Sequence, residues 1–359
     1  LPKNLQDTFR AWFVDDHRGV FPREVLANLL WTVCPTCSCE HARKVCPTCA
    51  PAATTAPSTR PAVHQTLIAH NRLGGLGLVV HAQVSGGMLR FVAHKNGRFF
   101  REDGREVGRG DLRVGMAFAL TANTTWVGVG GRWACLEKSG PRHGVVAGDF
   151  GPGLVCLQEH VYTCQSGGLY RQDTAGPTFV GPVVDGQTSL WAGAMRGLGM
   201  YRVGGLRGVF TFTHGRTGVR EVAGIRVFRG HLLQAHATFG QTNTWLFTAW
   251  ATGTGVLHRC ELIGGNGVVV AYAQALAGDG SWLGSIAGQV AVADVLFAPT
   301  DAGLVRVVSN HGLCVDRTFP ETAPWVDGAT VLKISQEGLH AVNSREIIDL
   351  QLQPNQRRI

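Results

Sequence analysis

The stretch HAQVSGGMLRFV, residues 81–92, decides how this chain reads. An alternating run enters Gly86-Gly87, and a second alternating run carrying Arg90 leaves it. Period-two alternation on both sides of a glycine turn marks a pair of antiparallel strands. The same texture recurs in TWVGVGGRWACL, VYTCQSGGLYRQ, SLWAGAMRGLGMYRV, TWLFTAWATGTGVLHR, VLFAPTDAGLVRVV and TVLKISQEGLHAVN. The turn glycines are Gly87, Gly131, Gly168, Gly197, Gly255, Gly303 and Gly338, at a mean interval of about 42 residues, within the range of propeller blades. Individual gaps run from 29 to 58 residues, which keeps six blades or a pair of sandwiches as competing arrangements. A lone hairpin cannot bury both its faces, whereas radial stacking buries them and leaves only short edges. The expected fold is mainly β: a seven-bladed β-propeller over residues 64–355, with six blades as the alternative count.

Composition agrees with many tight turns between short strands. The 359 residues include 48 glycines, and only 16% are charged against 45% hydrophobic. That balance lacks the low hydrophobicity and high charge that disorder requires. No apolar run reaches the 18 residues of a membrane helix, and the first residues do not follow the signal-peptide pattern. A cytoplasmic protein with no membrane partner is expected. Because it begins on Leu1, the chain is expected to be a piece of something longer.

Upstream of the strands the pattern changes twice. Leu5, Phe9, Trp12 and Phe13 share one helical face, and Pro22 then opens a second stripe of Val25, Leu26, Leu29, Leu30 and Val33, so residues 1–33 are expected to form a short helical hairpin. Residues 50–63, APAATTAPSTRPAV, have no apolar period and read as a semi-extended linker.

Between hairpin and linker lie Cys34-x-x-Cys37 and Cys46-x-x-Cys49. Two C-P-T-C turns can aim four thiolates at one tetrahedral Zn²⁺ with no open position, which makes the expected cofactor a structural zinc in a ribbon over residues 34–49. Cys39 or His41 could replace Cys37 as a ligand. The other five cysteines, Cys135, Cys156, Cys164, Cys260 and Cys314, are scattered singly and read as buried free thiols.

The first 63 residues hold seven Lys/Arg against five Asp/Glu, too even a balance for a ribbon that tracks phosphates. Most of the formal charge of +8 therefore lies in the propeller. Arg196, Arg202, Arg207, Arg216, Arg220, Arg226 and Arg229 are opposed only by Glu221 in that run. Guanidinium groups grip carboxylate or phosphate in bidentate fashion, so the run is a candidate surface for an anion or an acidic partner. The opposing reading sends them to different faces of the sheet. Asp149-Phe150-Gly151 matches a kinase metal-binding triplet, but no accompanying kinase motif precedes it. Asp279, Asp294, Asp301, Glu321 and Asp327 fall near turns and are expected to cap them. No catalytic residue or organic cofactor site is indicated, and the chain reads as a non-enzymatic binding module. A propeller enzyme with its site in the funnel, and nucleic-acid binding through the arginine run, are the competing readings.

The N-terminal Leu5/Phe9/Phe13 helix, then His17-Arg18-Gly19-Val20-Phe21-Pro22-Arg23, resembles the last helices of a bacterial kinase-like lobe. A zinc knuckle and a degenerate propeller after it are similar to the C-terminal regions of kinase-like proteins from von Willebrand factor A (TerY-type) ternary systems. Gly278-Asp279-Gly280-Ser281-Trp282-Leu283-Gly284 and Phe319-Pro320-Glu321-Thr322-Ala323-Pro324 carry that resemblance within the strands. Cys37 and Cys39 depart from the family's knuckle, which often includes a histidine. The resemblance implies a sensor or scaffold in a bacterial signalling or conflict-defence complex. Its partner would be a protein: the kinase-like, von Willebrand factor A or ATPase component.

Overall fold

The computed structural model describes residues 32–33, 40–41, 65–71, 77–129, 132–136, 142–145, 153–173, 175–203, 206–226, 228 and 230–354. The chain divides into two compact units, residues 1–63 and 64–359. In the first, Thr32–Val33 pairs antiparallel with Glu40–His41. The helical hairpin expected over 1–33 lies outside the described residues except for these last two positions. They are extended, as suits two β-branched side chains. Cys34, Cys37, Cys46 and Cys49, with Cys39 and the linker, also lie outside the described residues.

The second unit contains seven four-stranded antiparallel sheets among its described residues. Each is a blade, and the first strand of each lies innermost. These inner strands are Leu78–Ser85 (blade 1), Ala117–Leu120 (blade 2), Leu154–Leu157 (blade 3), Thr188–Ala192 (blade 4), His231–Phe239 (blade 5), Val290–Val292 (blade 6) and Val331–Ser335 (blade 7). Every inner strand packs beside the next, and that of blade 7 packs beside that of blade 1, so the seven enclose a central axis. Blade 7 takes its outermost strand from the other end of the chain: Gln65–Asn71 pairs with Ile347–Pro354 over seven residues. The expected seven-bladed arrangement is present, and the closure that sequence could not show is made by this strand.

Alternation explains the packing. The buried run Thr244–Trp250 of blade 5 sends Trp245, Phe247 and Ala249 towards blade 6 and Leu246 and Trp250 towards blade 4. A strand buried on both faces needs apolar residues at nearly every position, which is why this one reads as a continuous run. The buried apolar side chains accordingly form seven clusters, one in each gap between adjacent blades. Turns obey local rules. Gly86-Gly87 and Asn96-Gly97 both have two successive positive φ angles (58° and 76°, 51° and 72°), the backbone that matches the twist of a two-residue hairpin.

Blade 4 uses a different device. Gly197 and Gly199 lie opposite Phe212 and Phe210, and Gly208 opposite Tyr201. At each glycine a Cβ would overlap the facing ring. The rings lie flat over the glycines and cover backbone that no side chain protects.

Among the described residues the only helical turn is the 3-10 segment Pro320–Thr322, and no helix is long and apolar enough to cross a membrane. Removing residues 1–71 should lower Tm by roughly 5–10 °C, the shift that about 3 kcal/mol produces in a domain of this size. Light scattering should also show association through the exposed strand Ile347–Pro354. Thermal unfolding and light scattering of the truncated and full chains check the two in turn.

Candidate functional site

The arginine run is distributed by the blade 4 sheet and the connection that follows it. Arg196 serves the fold: its Nη2 donates to the carbonyls of Gly240 (3.0 Å) and Asn243 (2.8 Å), tying a turn of blade 4 to one of blade 5. Arg202 faces Arg207 across the hairpin Arg196–Val203/Leu206–Thr213. Arg216 is exposed in the turn after Thr213, and Arg229 lies outside the described residues.

Arg207 and Arg226 do come together, and they meet a third cation from blade 5. Arg207 Cζ lies 4.4 Å from the ring centre of Trp250, Arg226 Cζ 3.4 Å from that of Tyr272, and Arg259 Cζ 5.1 Å from that of Phe228. Arg207 Nη2 also donates to the carbonyl of Arg226. One carboxylate serves this group. Glu261 Oε1 accepts the Arg226 backbone N–H at 2.9 Å and stands 3.6 Å from Arg259 Nη2. Arg259 and Glu261 are both about 4% exposed or less. Burial holds the guanidinium of Arg207 and of Arg259 below its ordinary value, with the Glu261 carboxylate opposing. Three guanidinium groups are thus accommodated largely by aromatic faces, which attract cations through the ring quadrupole. Arg259 lies outside the arginine run, so the linear reading passed over it.

Beside this group runs the outer strand of blade 5, Val269–Leu276. Its eight residues, VVAYAQAL, carry no charge, and Val270 and Leu276 are 57% and 53% exposed. Ala223 bridges Val268 at its start. Among the described residues no strand pairs with its outer edge beyond that bridge. The outer strands of the other blades are shorter, or carry charge or proline. Arg220 is exposed, with its Nε about where it would meet a Cβ on Gly267 (3.5 Å). Two cations, Arg220 and Arg226, therefore flank an uncharged apolar edge.

The isolated acidic residues act as turn caps. Asp279 accepts the Ser281 N–H, Asp294 those of Thr242 and Asn243, Asp301 that of Gly328, and Asp327 that of Ala329. Glu321 occupies the first turn of the 3-10 segment. Of the scattered cysteines, Cys135, Cys164 and Cys260 are buried, Cys156 is half-buried and Cys314 exposed, all as free thiols. Burial pushes the Cys156 and Cys164 thiols up to about 12, so neither is a nucleophile at neutral pH. Asp149-Phe150-Gly151 lies outside the described residues.

No family model matches the chain, and no curated protein is similar to it. Solved structures that align with it include YCF48 from Cyanidioschyzon merolae, at 12% identity over 80% of this chain and 99% of that one, TM-score 0.43. The α-L-arabinanase of Penicillium chrysogenum, complexed with arabinobiose, aligns at 10% identity over 80% and 97%, TM-score 0.37. TolB from Acinetobacter baumannii aligns at 12% identity over 78% and 66%, TM-score 0.33. Likenesses this distant assign neither ligand nor activity.

The Glu261→Gln variant should lose about 2–4 kcal/mol of stability, because it leaves buried guanidinium charge without its carboxylate. Urea unfolding against the native chain measures this.

Proposed function

We propose that this chain is a non-enzymatic binding module, and that the outer edge of blade 5 takes up an extended, acidic segment of a protein partner. One observation carries the reading: an eight-residue edge strand without a charge, with Val270 and Leu276 standing out of it. Such an edge is a template for another strand unless it is blunted by lysine, proline or a covering element. Addition of a strand would supply main-chain hydrogen bonds for affinity. Arg220 and Arg226 at its flanks would select for Asp or Glu in the incoming segment. The arginine run thus keeps its reading as an acidic-partner surface for these two residues. The resemblance to ternary-system proteins makes the von Willebrand factor A, kinase-like and ATPase components the first partners to test.

Val270→Lys places a charge on a solvent-facing position and should change stability by no more than about 0.5 kcal/mol. It should weaken partner binding at least about tenfold, and Arg220→Glu should do the same with a smaller dependence on salt. Surface plasmon resonance with the three components reads both. Undiminished binding by both variants would remove blade 5 as the docking edge.

We also propose a structural zinc held by Cys34, Cys37, Cys46 and Cys49. Support comes from the two matched cysteine pairs, each a C-P-T-C turn in the sequence. Elemental analysis should find one zinc per chain, and Cys46→Ser should lower that content; a native chain purified without zinc and retaining full stability would sink the assignment.

A further inference from the structure

Two histidines meet where blade 3 packs on blade 4. His160 opens the strand His160–Gln165, and His214 follows the strand Leu206–Thr213. Their ring centres lie 4.9 Å apart, with the planes inclined at 46°. Two residues further into each strand, Tyr162 and Phe212 meet with ring centres 5.2 Å apart. The imidazoles thus end a row of cross-blade ring contacts at the margin of the apolar cluster the two blades share. Main-chain bonding fixes His214 in place. Its N–H donates to the Met195 carbonyl at 3.1 Å, and Gly215 turns the chain beyond it with a φ of 71°.

Each imidazole carries a nitrogen that nothing in the protein serves. Nδ1 of His160 and Nδ1 of His214 are both buried, and neither has a hydrogen-bond partner among the described residues. Burying a polar atom unpaired is costly, and two such atoms on adjacent rings call for one species that serves both. The surroundings of His160 decide which species. Its Nε2 is turned towards Asp173, 3.8 Å from Oδ1. That carboxylate is held in place: Arg171 donates to it from Nε and Nη2 at 2.9 Å, and Thr178 Oγ1 at 2.7 Å. A carboxylate on that side favours the proton on Nε2 and leaves a lone pair on Nδ1. A lone pair attracts a cation and repels an anion. Arg171 and Asp173 offset each other, so no net charge of the pair opposes an entering ion.

We propose that His160 and His214 hold a divalent transition ion of the zinc, nickel and copper group through their Nδ1 atoms, with Asp173 orienting His160. Two imidazoles that share one tetrahedral ion at metal–nitrogen lengths of about 2.0–2.1 Å have ring centres roughly 5 Å apart. The observed spacing matches. Imidazole nitrogen suits these ions, whereas magnesium and calcium take oxygen ligands. No group of three His, Cys, Asp or Glu side chains converges among the described residues, so the protein fills two positions and leaves the others to water. In this the site differs from a closed four-thiolate zinc at residues 34–49. It rests neither on that assignment nor on the blade 5 edge. Its effect is to clasp blade 3 to blade 4.

Isothermal titration with nickel tests the site. The full chain is first loaded with zinc and freed of excess by gel filtration, so that the cysteine pairs enter every titration in the same state. The native chain should bind one nickel ion more than either His160→Phe or His214→Phe, each of which keeps a ring in the cross-blade row. Asp173→Asn should keep that stoichiometry and lose about tenfold or more in affinity. Free nickel about a hundredfold above its Kd should raise Tm of the native chain by roughly 5–10 °C, and should leave Tm of both histidine variants unmoved. Should one variant fail to fold, the other still gives the comparison. Magnesium should bind the native chain and the variants alike. Equal nickel stoichiometry in the native chain and the folded variants would overturn the proposal and leave the two nitrogens to water, as would nickel that magnesium displaces.

Discussion

Seven backbone pairings between Gln65–Asn71 and Ile347–Pro354 hold the ring shut, and the rest of the structure depends on them. No blade buries its own faces. Each of the seven apolar clusters is shared between two neighbours, so every blade is half of two cores. An open stack of such units would leave two faces in water and would need polar caps at its ends. Closure replaces the caps. It brings Ala82, Leu89 and Phe91 of blade 1 against Val342 and Ile347 of blade 7, completing the seventh cluster.

A ring assembled from shared faces also needs its turns kept in step, and polar side chains do that work. Arg101, 1% exposed, donates to the carbonyls of Thr121 and Thr124 and so pins blade 1 to a turn of blade 2. The Ser85 hydroxyl lies 2.9 Å from the Gln158 carbonyl and 2.7 Å from Glu159 Oε1, either of which can take its one proton, linking blades 1 and 3. In blade 7, Ser335 Oγ lies 2.7 Å from His340 Nε2, and His340 Nδ1 lies 2.5 Å from Asp349. The order of atoms matches a nucleophile, base and orienting acid. The surroundings do not: Glu337 donates its N–H to the same Oγ, and His340 is wholly buried. The line crosses three strands of one blade and fastens them together.

Sequence revealed the blades because a hairpin is a local object. Each of the seven glycine units lies in a different blade. Gly87, Gly197 and Gly338 mark the connection between first and second strands, whereas Gly131, Gly168, Gly255 and Gly303 mark that between second and third. Mixing the two connections accounts for much of the uneven interval. The rest comes from the stretch 277–289, inserted between blades 5 and 6. Non-local facts were not legible. Nothing in QTLIAHN, residues 65–71, names its partner nearly three hundred residues away. Likewise the arginine run is contiguous only in sequence. Sheet alternation sends Arg196 to turn carbonyls and Arg207 to an indole, while Arg259, from the next blade, joins the cluster.

The positive charge between blades 4 and 5 is not matched one for one by carboxylates. Between blades 4 and 5, guanidinium groups spread their charge over Trp250, Tyr272 and Phe228 and share Glu261, so the cations are accommodated by the fold itself. Arginine suits that setting because a planar, weakly hydrated guanidinium can lie on an aromatic face and so adds contact between blades, where a compact, strongly hydrated ammonium would not.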